Sequence, residues 1–190
     1  MATQCAFSQT ERLPIPGIFN TGVNGNNQLL ADGEVDLHYK LVSSDDSQYP
    51  GPDAFIPASD IWPIGQWIPN GPESKWIAPR FDADKFNASG YYVYRLTFDL
   101  TSFHYNTAEI GGIWSTDNNG MDILINGTST GFQTPFESFY GISPFFINTG
   151  FQPGLNTIDF IVYNGHAPTG LRVEIKGTAV PLNVAFNNQK

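Results

Sequence analysis

The fold is decided by the stretch that runs from Tyr91 to Leu100, YYVYRLTFDL. Its even-numbered positions from 92 to 100 are all aromatic or leucine, whereas the odd-numbered positions include Arg95, Thr97 and Asp99. Side chains that alternate with a period of two residues lie on opposite faces of a β-strand. The stretch therefore predicts a strand with one face in the core and the other towards solvent.

Similar stretches occur on both sides of this strand, separated by turn residues. We predict further strands at 37–42, 108–114, 121–125, 143–148, 157–163 and 171–178. Asn126-Gly127 follows the third of these and is the strongest short signal for a hairpin turn. No stretch keeps a helical period beyond one turn, and 19 glycines and 14 prolines punctuate the chain. The sequence therefore predicts an all-β fold, an antiparallel β-sandwich.

The chain of 190 residues has the size of one domain, so residues 1–190 are expected to form a single sandwich. Residues 1–20 are expected to be a loose N-terminal arm, and residues 180–190 a C-terminal tail. The segment 49–80 holds seven of the 14 prolines and three of the four tryptophans. Proline at this density excludes a helix or a central strand, whereas tryptophans are rare in disordered linkers. We predict an ordered surface loop at 49–80.

The charge of the chain restricts its partners. The formal net charge is −9 and the pI is about 4.5, whereas nucleic acids and anionic membranes require a basic surface. No apolar run approaches the roughly 18 residues that cross a membrane. We therefore predict neither nucleic-acid binding nor membrane insertion, and an oligomer is compatible with the sequence. Met1 to Phe7 lacks the features of a signal peptide, and the single Cys5 is interpreted as incidental.

Catalytic motifs are weak. Residues 127–131 match the G-x-S-x-G pattern of serine hydrolases, but the pattern follows a hairpin signal and Pro135 prevents the helix that this chemistry needs. Glycosidases use two carboxylates at a suitable separation as catalytic groups. No pair of acidic residues in this sequence is recognisable as such a pair. We predict a protein that is not an enzyme, with a small β-sandwich glycanase as the third alternative.

Two acidic clusters have the chemistry of a calcium site. Asp32, Glu34 and Asp36 lie within five residues, and the segment from Asp117 to Asp122 carries four oxygen-bearing side chains. Calcium takes six to eight oxygen ligands, so a structural Ca²⁺ is one interpretation, with Asp32, Glu34 and Asp36 as its ligands. Turn formation is the other, because Asp and Asn side chains hydrogen-bond to nearby backbone groups. No cofactor is required.

Aromatic and amide side chains in predicted loops favour a sugar-binding site. Indole faces stack on the C–H faces of sugar rings, whereas amides, carboxylates and guanidinium groups hydrogen-bond to hydroxyls. The candidate ligand-binding residues are Trp76, Arg80, Asp117, Asn118, Asn119, Asn164 and His166. The loops at 117–119 and 163–166 are expected at the ends of strands, on one rim of the sandwich. For Trp76, burial in the core is an equal alternative to a stacking platform.

Three segments in this order resemble the galactose-binding-domain-like jelly roll. They are the strand at 94–100, the segment 117–127 that ends in Asn126-Gly127, and the segment 150–164 with its PGLN turn and its final V-Y-N. Sugar-binding domains attached to many glycoside hydrolases share this order. The resemblance covers about residues 91–178 and implies a jelly-roll topology for the sandwich.

Four further segments resemble domains of exported bacterial proteins of unassigned function. These segments are 21–23, 29–39, 74–79 and 170–174. The resemblance implies a secreted or cell-surface location, whereas a cytoplasmic one stays open. The expected function is that of a non-catalytic carbohydrate-binding, lectin-like domain with a glycan or polysaccharide as partner. A structural or adhesion module of a surface assembly is the alternative.

Overall fold

The protein forms two antiparallel β-sheets in a computed structural model that describes residues 11–183. Nine strands and one short 3₁₀ helix, Ser138–Tyr140, make up its regular structure over this range. The strands are β1 (Leu13–Pro14), β2 (Tyr39–Ser44), β3 (Gly90–Asp99), β4 (Phe103–Asp117), β5 (Asn119–Ile125), β6 (Thr128–Ser129), β7 (Ser143–Ile147), β8 (Leu155–Asn164) and β9 (Gly170–Pro181).

The two sheets pack face to face as a sandwich. One sheet has the order β1-β9-β4-β7 and the other the order β2-β3-β8-β5-β6. In β3, Tyr92, Tyr94, Leu96 and Phe98 are all buried, so the alternation in the sequence does mark the core face. Leu171, Val173 and Ile175 of β9, in the other sheet, are also buried. The predicted all-β antiparallel sandwich is confirmed.

The termini differ from the sequence expectation where the structure describes them. Residues 11–20 are packed rather than loose, because Leu13 and Pro14 pair with Ala179 and Thr178 of β9 and Ile15 is buried. β9 itself continues through Pro181, into the segment expected to be a tail. Residues 1–10, with Cys5 and the Met1 to Phe7 segment, and residues 184–190 lie outside the described range.

The segment 49–80 contains turns and isolated β-bridges but no strand. It is anchored by Trp67 and Trp76, whose buried rings lie 4.4 Å apart between centroids. Backbone hydrogen bonds also join it to β9, since Ile77 and Leu171 bond to each other in both directions. The aromatic anchors therefore make an ordered layer across the sandwich from a segment that is too rich in proline for a sheet.

Two connections pass between the sheets at one end of the sandwich. Asn118 alone links β4 of the four-stranded sheet to β5 of the five-stranded sheet, and residues 165–169 link β8 to β9. This end is called the crossing rim below. Over residues 11–183, there is no helix of the length and apolarity that a membrane span requires.

Candidate functional site

Asn118 holds the two connections of the crossing rim together. Its backbone N–H donates to the carbonyl of Tyr163 at 2.9 Å, and its Oδ1 accepts from the N–H of Gly165 at 2.6 Å. The side chain thereby replaces the backbone partner that the chain loses where it leaves the sheet. The two loops that the sequence placed on one rim are in contact, as that prediction required.

The proline-rich segment reaches the same rim through Trp67. The indole Nε1 of Trp67 donates to Oδ2 of Asp117 at 2.8 Å, and both side chains are buried. The next residue, Ile68, donates its backbone N–H to the carbonyl of Phe139 in the 3₁₀ helix at 2.7 Å. Three chain segments that are distant in sequence therefore meet around Asp117.

A shallow cleft of about 170 Å³ lies where these segments meet. Its walls carry exposed aromatic rings, because 44% of the Trp62 surface and 61% of the Tyr140 surface are accessible to solvent. Phe139 lies beside Tyr140, with 4.2 Å between ring centroids. The cleft is lined by Trp62, Pro63, Gln66, Trp67, Asp117, Asn118, Phe139, Tyr140, His166, Ala167 and Pro168.

Asp117 gives the cleft an ionisable group in an unusual state. Only 5% of the residue is exposed, and Oδ1 has no hydrogen-bond partner among the described residues. Burial raises the pKa of Asp117 to about 7, the neighbouring Glu137 adds to the increase, and the hydrogen bond from Trp67 opposes it. The carboxyl group can therefore gain or lose a proton near neutral pH.

Two residues beside the cleft have left-handed backbone conformations that side chains other than Gly and Asn adopt rarely. Ala167 lines the cleft with φ of 77°, and Glu137, with φ of 57°, immediately precedes the 3₁₀ helix that supplies Phe139 and Tyr140. Such conformations cost on the order of 1–3 kcal/mol each, and they concentrate at functional sites. They support a functional role for this cleft independently of the aromatic residues.

The cleft contains Asp117, Asn118 and His166 of the candidate ligand-binding residues. Asn119 and Asn164 lie on the same rim but outside the lining. Asn119 is half-buried and pairs with Tyr163, whereas Asn164 is fully buried and donates to the carbonyl of Ala88 at 3.0 Å. Asn164 therefore stabilises the rim rather than facing a ligand.

The interpretation of Trp76 as a stacking platform is wrong. Trp76 is 0% exposed, and its Nε1 donates to the carbonyl of Ile68 at 2.9 Å. The residue is a core anchor, which was the equal alternative. Arg80 is also absent from the lining, because its guanidinium forms two hydrogen bonds of 2.6 Å with Asp82 and lies 4.5 Å from the ring of Tyr49.

The carboxylates proposed as calcium ligands accept hydrogen bonds from the protein itself, within turns for Glu34 and Asp36 and from distant residues for Asp32. Asp36 accepts backbone N–H groups from Gly22, His38 and Tyr39, and both of its oxygens are used. Asp32 binds Ser59 and Lys75, and Glu34 accepts from the N–H of Ala31. No group of three or more His, Cys, Asp or Glu residues within 11–183 is placed to hold a metal ion. The geometry favours the turn interpretation.

Sequence reasoning did not select the aromatic walls of the cleft. Trp62, Phe139 and Tyr140 line the cleft but are not among the candidate residues that the sequence predicts. A signal existed, since the segment FESFY at 136–140 places three aromatic residues in a stretch without strand alternation. Aromatic residues outside any predicted strand either anchor a loop, as Trp67 and Trp76 do, or lie at the surface, as Tyr140 does.

Comparisons with known proteins add no relative. No family model matches the chain, and neither a curated protein nor a solved structure matches it. The function is therefore inferred from the geometry of the crossing rim.

Proposed function

We propose that the protein is a non-catalytic carbohydrate-binding domain and that its ligand lies in the cleft of the crossing rim. The observation that carries the proposal is the pair of exposed rings, Trp62 and Tyr140, beside the polar groups of Asp117 and Asn118. Shallow sites with aromatic walls and a few polar groups suit sugar rings, which have apolar C–H faces and hydroxyl edges.

A larger groove lies elsewhere on the molecule and is a weaker candidate. It has a volume of about 540 Å³ and runs along β9 near Ile18, Glu73 and Lys176. Its lining contains no aromatic side chain. The smaller cleft combines aromatic rings, a buried carboxyl without a full set of partners and two left-handed residues, so it has the stronger claim.

The strand order supports a jelly-roll topology for the sandwich. Eight strands remain when β2 is left out, and we number them from one to eight in chain order. One sheet then has the order 1-8-3-6, and the other sheet has the order 2-7-4-5. Successive strands thus alternate between the sheets except at the β5–β6 hairpin, as in a jelly roll with two Greek keys. A galactose-binding-like domain of an exported protein is part of the same proposal.

A small glycanase is the second candidate, because one observation favours it. Asp117, whose pKa is raised to about 7, is close enough to Glu137 for the two charges to interact. A carboxyl that stays protonated near neutral pH can act as the general acid of a glycosidase. Release of reducing sugar from a polysaccharide that binds the cleft distinguishes this candidate from a binding domain.

The proposal is tested with a glycan array and with two alanine variants of exposed aromatic residues. Trp62→Ala removes a wall of the cleft, whereas Tyr105→Ala removes an exposed ring near the start of β4, at the opposite end of that strand from Asp117. We expect binding to at least one glycan class, with a loss of about tenfold or more in affinity only for Trp62→Ala. An array without binding, or equal loss in both variants, contradicts the proposal and favours the structural or adhesion module.

A further inference from the structure

We propose that the cleft of the crossing rim selects a sugar that carries a free amino group, with the ammonium beside Asp117 and the aromatic walls. This inference rests on the proposed carbohydrate-binding function and specifies its ligand class. It pairs the ammonium of the ligand with the carboxyl group of Asp117, which lines the cleft.

The first support is the incomplete coordination of the Asp117 carboxyl group. Oδ2 accepts one hydrogen bond, from Trp67, whereas Oδ1 is buried without a partner in the described part of the chain. A buried carboxylate is costly unless a cation or several donors compensate it. Among the described residues that line the cleft there is no Lys or Arg, so the protein itself does not supply that cation.

The second support is the character of the walls. Trp62, Phe139 and Tyr140 present aromatic rings, whose negative faces attract cations. The combination of ring faces with one unpaired carboxyl suits an ammonium group better than a neutral hydroxyl, which interacts weakly with ring faces. The net charge of −9 acts in the same direction, because it attracts cationic ligands towards the protein.

The third support is the proton balance. Asp117 must be ionised to pair with an ammonium, so binding to the neutral form releases one proton to solvent while the ligand keeps its charge. Glu137 interacts electrostatically with this carboxyl, and His166 and Tyr140 are further titratable groups of the lining. Affinity for a cation of fixed charge is therefore expected to increase from pH 6 to pH 8.

The experiment compares three oligosaccharides of equal length by calorimetry at pH 7.5. One carries free 2-amino groups, the second carries the same groups in acetylated form, and the third is the neutral 2-hydroxy form. We expect the amino form to bind about tenfold tighter than either of the others. Choline is a fourth probe, because its charge does not change with pH and it contains no sugar.

Asp117→Asn is the matched variant. Asparagine keeps an oxygen that can accept from Trp67, so its fold is checked by the thermal transition and its effect on binding is assigned to the lost charge. The preference for the amino form, and the increase of choline affinity with pH, are expected to vanish in this variant. Asp53→Asn is the control, because it removes an exposed carboxylate that lies outside the lining of the cleft, and it is expected to retain both.

The outcomes separate this inference from the proposed function. Equal binding of all three oligosaccharides, lost in Trp62→Ala, overturns the amino preference but leaves the carbohydrate site intact. Binding of choline that depends on Asp117, with no binding of any sugar, supports the ammonium site and overturns the carbohydrate proposal. An absence of binding by all four probes overturns both.

Discussion

Oδ2 of Asp117 accepts a 2.8 Å hydrogen bond from Nε1 of Trp67, which joins the end of β4 to the proline-rich segment 49–80. The bond is buried and spans 50 residues of sequence. Both residues line the cleft, and the second carboxyl oxygen, Oδ1, has no partner among residues 11–183. The same contact therefore contributes to the fold and creates the chemical feature that distinguishes the site.

The first prediction concerns the pH dependence of stability. The folded pKa of Asp117 is about 7 and its ordinary value is 3.8, so the folded state binds this proton more tightly than the unfolded state. The stabilisation from this group is complete below pH 4 and is lost as the pH rises towards 7. Asp117→Asn is therefore expected to gain stability relative to the wild type over this interval, by on the order of 2–4 kcal/mol.

Urea unfolding of both proteins at several pH values from 4 to 8 measures this difference. Other carboxylates titrate in both proteins, so their contributions cancel in the comparison. A difference that stays constant with pH would show that Asp117 titrates normally in the folded protein.

The second prediction distinguishes the two kinds of tryptophan. Trp76 is fully buried beside Trp67, so Trp76→Ala is expected to reduce the free energy of unfolding by about 3–5 kcal/mol. Trp62 is 44% exposed, so the cost of Trp62→Ala is expected to be well below that of Trp76→Ala. Chemical denaturation of the two variants measures both values. Similar losses in the two proteins would place Trp62 in the core and remove it as a ligand platform.

Much of the sandwich was predictable because its strands have one buried and one exposed face. The alternation in β3 predicted the buried set from Tyr92 to Phe98 correctly. β4 was predicted at 108–114 but extends from Phe103 to Asp117. Its last four residues, Trp114 to Asp117, are all buried although three of them are polar, so this end of the strand has no exposed face and alternation cannot mark it.

The third prediction tests the packing of β4 against its neighbours. A Cβ on Gly112 would lie 2.1 Å from the carbonyl oxygen of Glu174 in β9, which is too close for any side chain. Gly112→Ala is expected to destabilise the protein by about 1–3 kcal/mol, because the backbone must move. Gly25→Ala is the control, since its Cβ would meet no described atom within 4 Å. Equal melting temperatures for the two variants would contradict the register of β4 and β9.

The fourth prediction concerns calcium. The oxygens of Asp36 face three backbone N–H groups, which repel a cation, and Asp32 is paired with Lys75. We therefore expect coincident thermal transitions in EDTA and in excess calcium. Differential scanning calorimetry at equal ionic strength makes the comparison. An increase of several degrees in the transition temperature with calcium would show that a calcium site exists and would contradict the turn interpretation.

The candidate site was predictable only in part, because two kinds of information were needed. The loops at 117–119 and 163–166 could be placed beyond the ends of predicted strands, and they do lie on one rim. Which of Trp62, Trp67 and Trp76 is exposed could not be predicted, because a loop without periodicity does not show which side chains face the core. Arg80 was a plausible ligand group by chemistry alone, and its pairing with Asp82 depends on a local geometry that composition does not encode.

The most direct test of the carbohydrate site is an NMR titration of the four indole N–H signals with a glycan that binds on the array. Trp62 and Trp67 line the cleft, whereas Trp76 and Trp114 are buried outside its lining. We expect the largest shift at Trp62, a smaller one at Trp67 and little change at Trp114, with saturation at the calorimetric affinity. A saturating titration that leaves Trp62 unchanged would place the glycan elsewhere and contradict the proposed site.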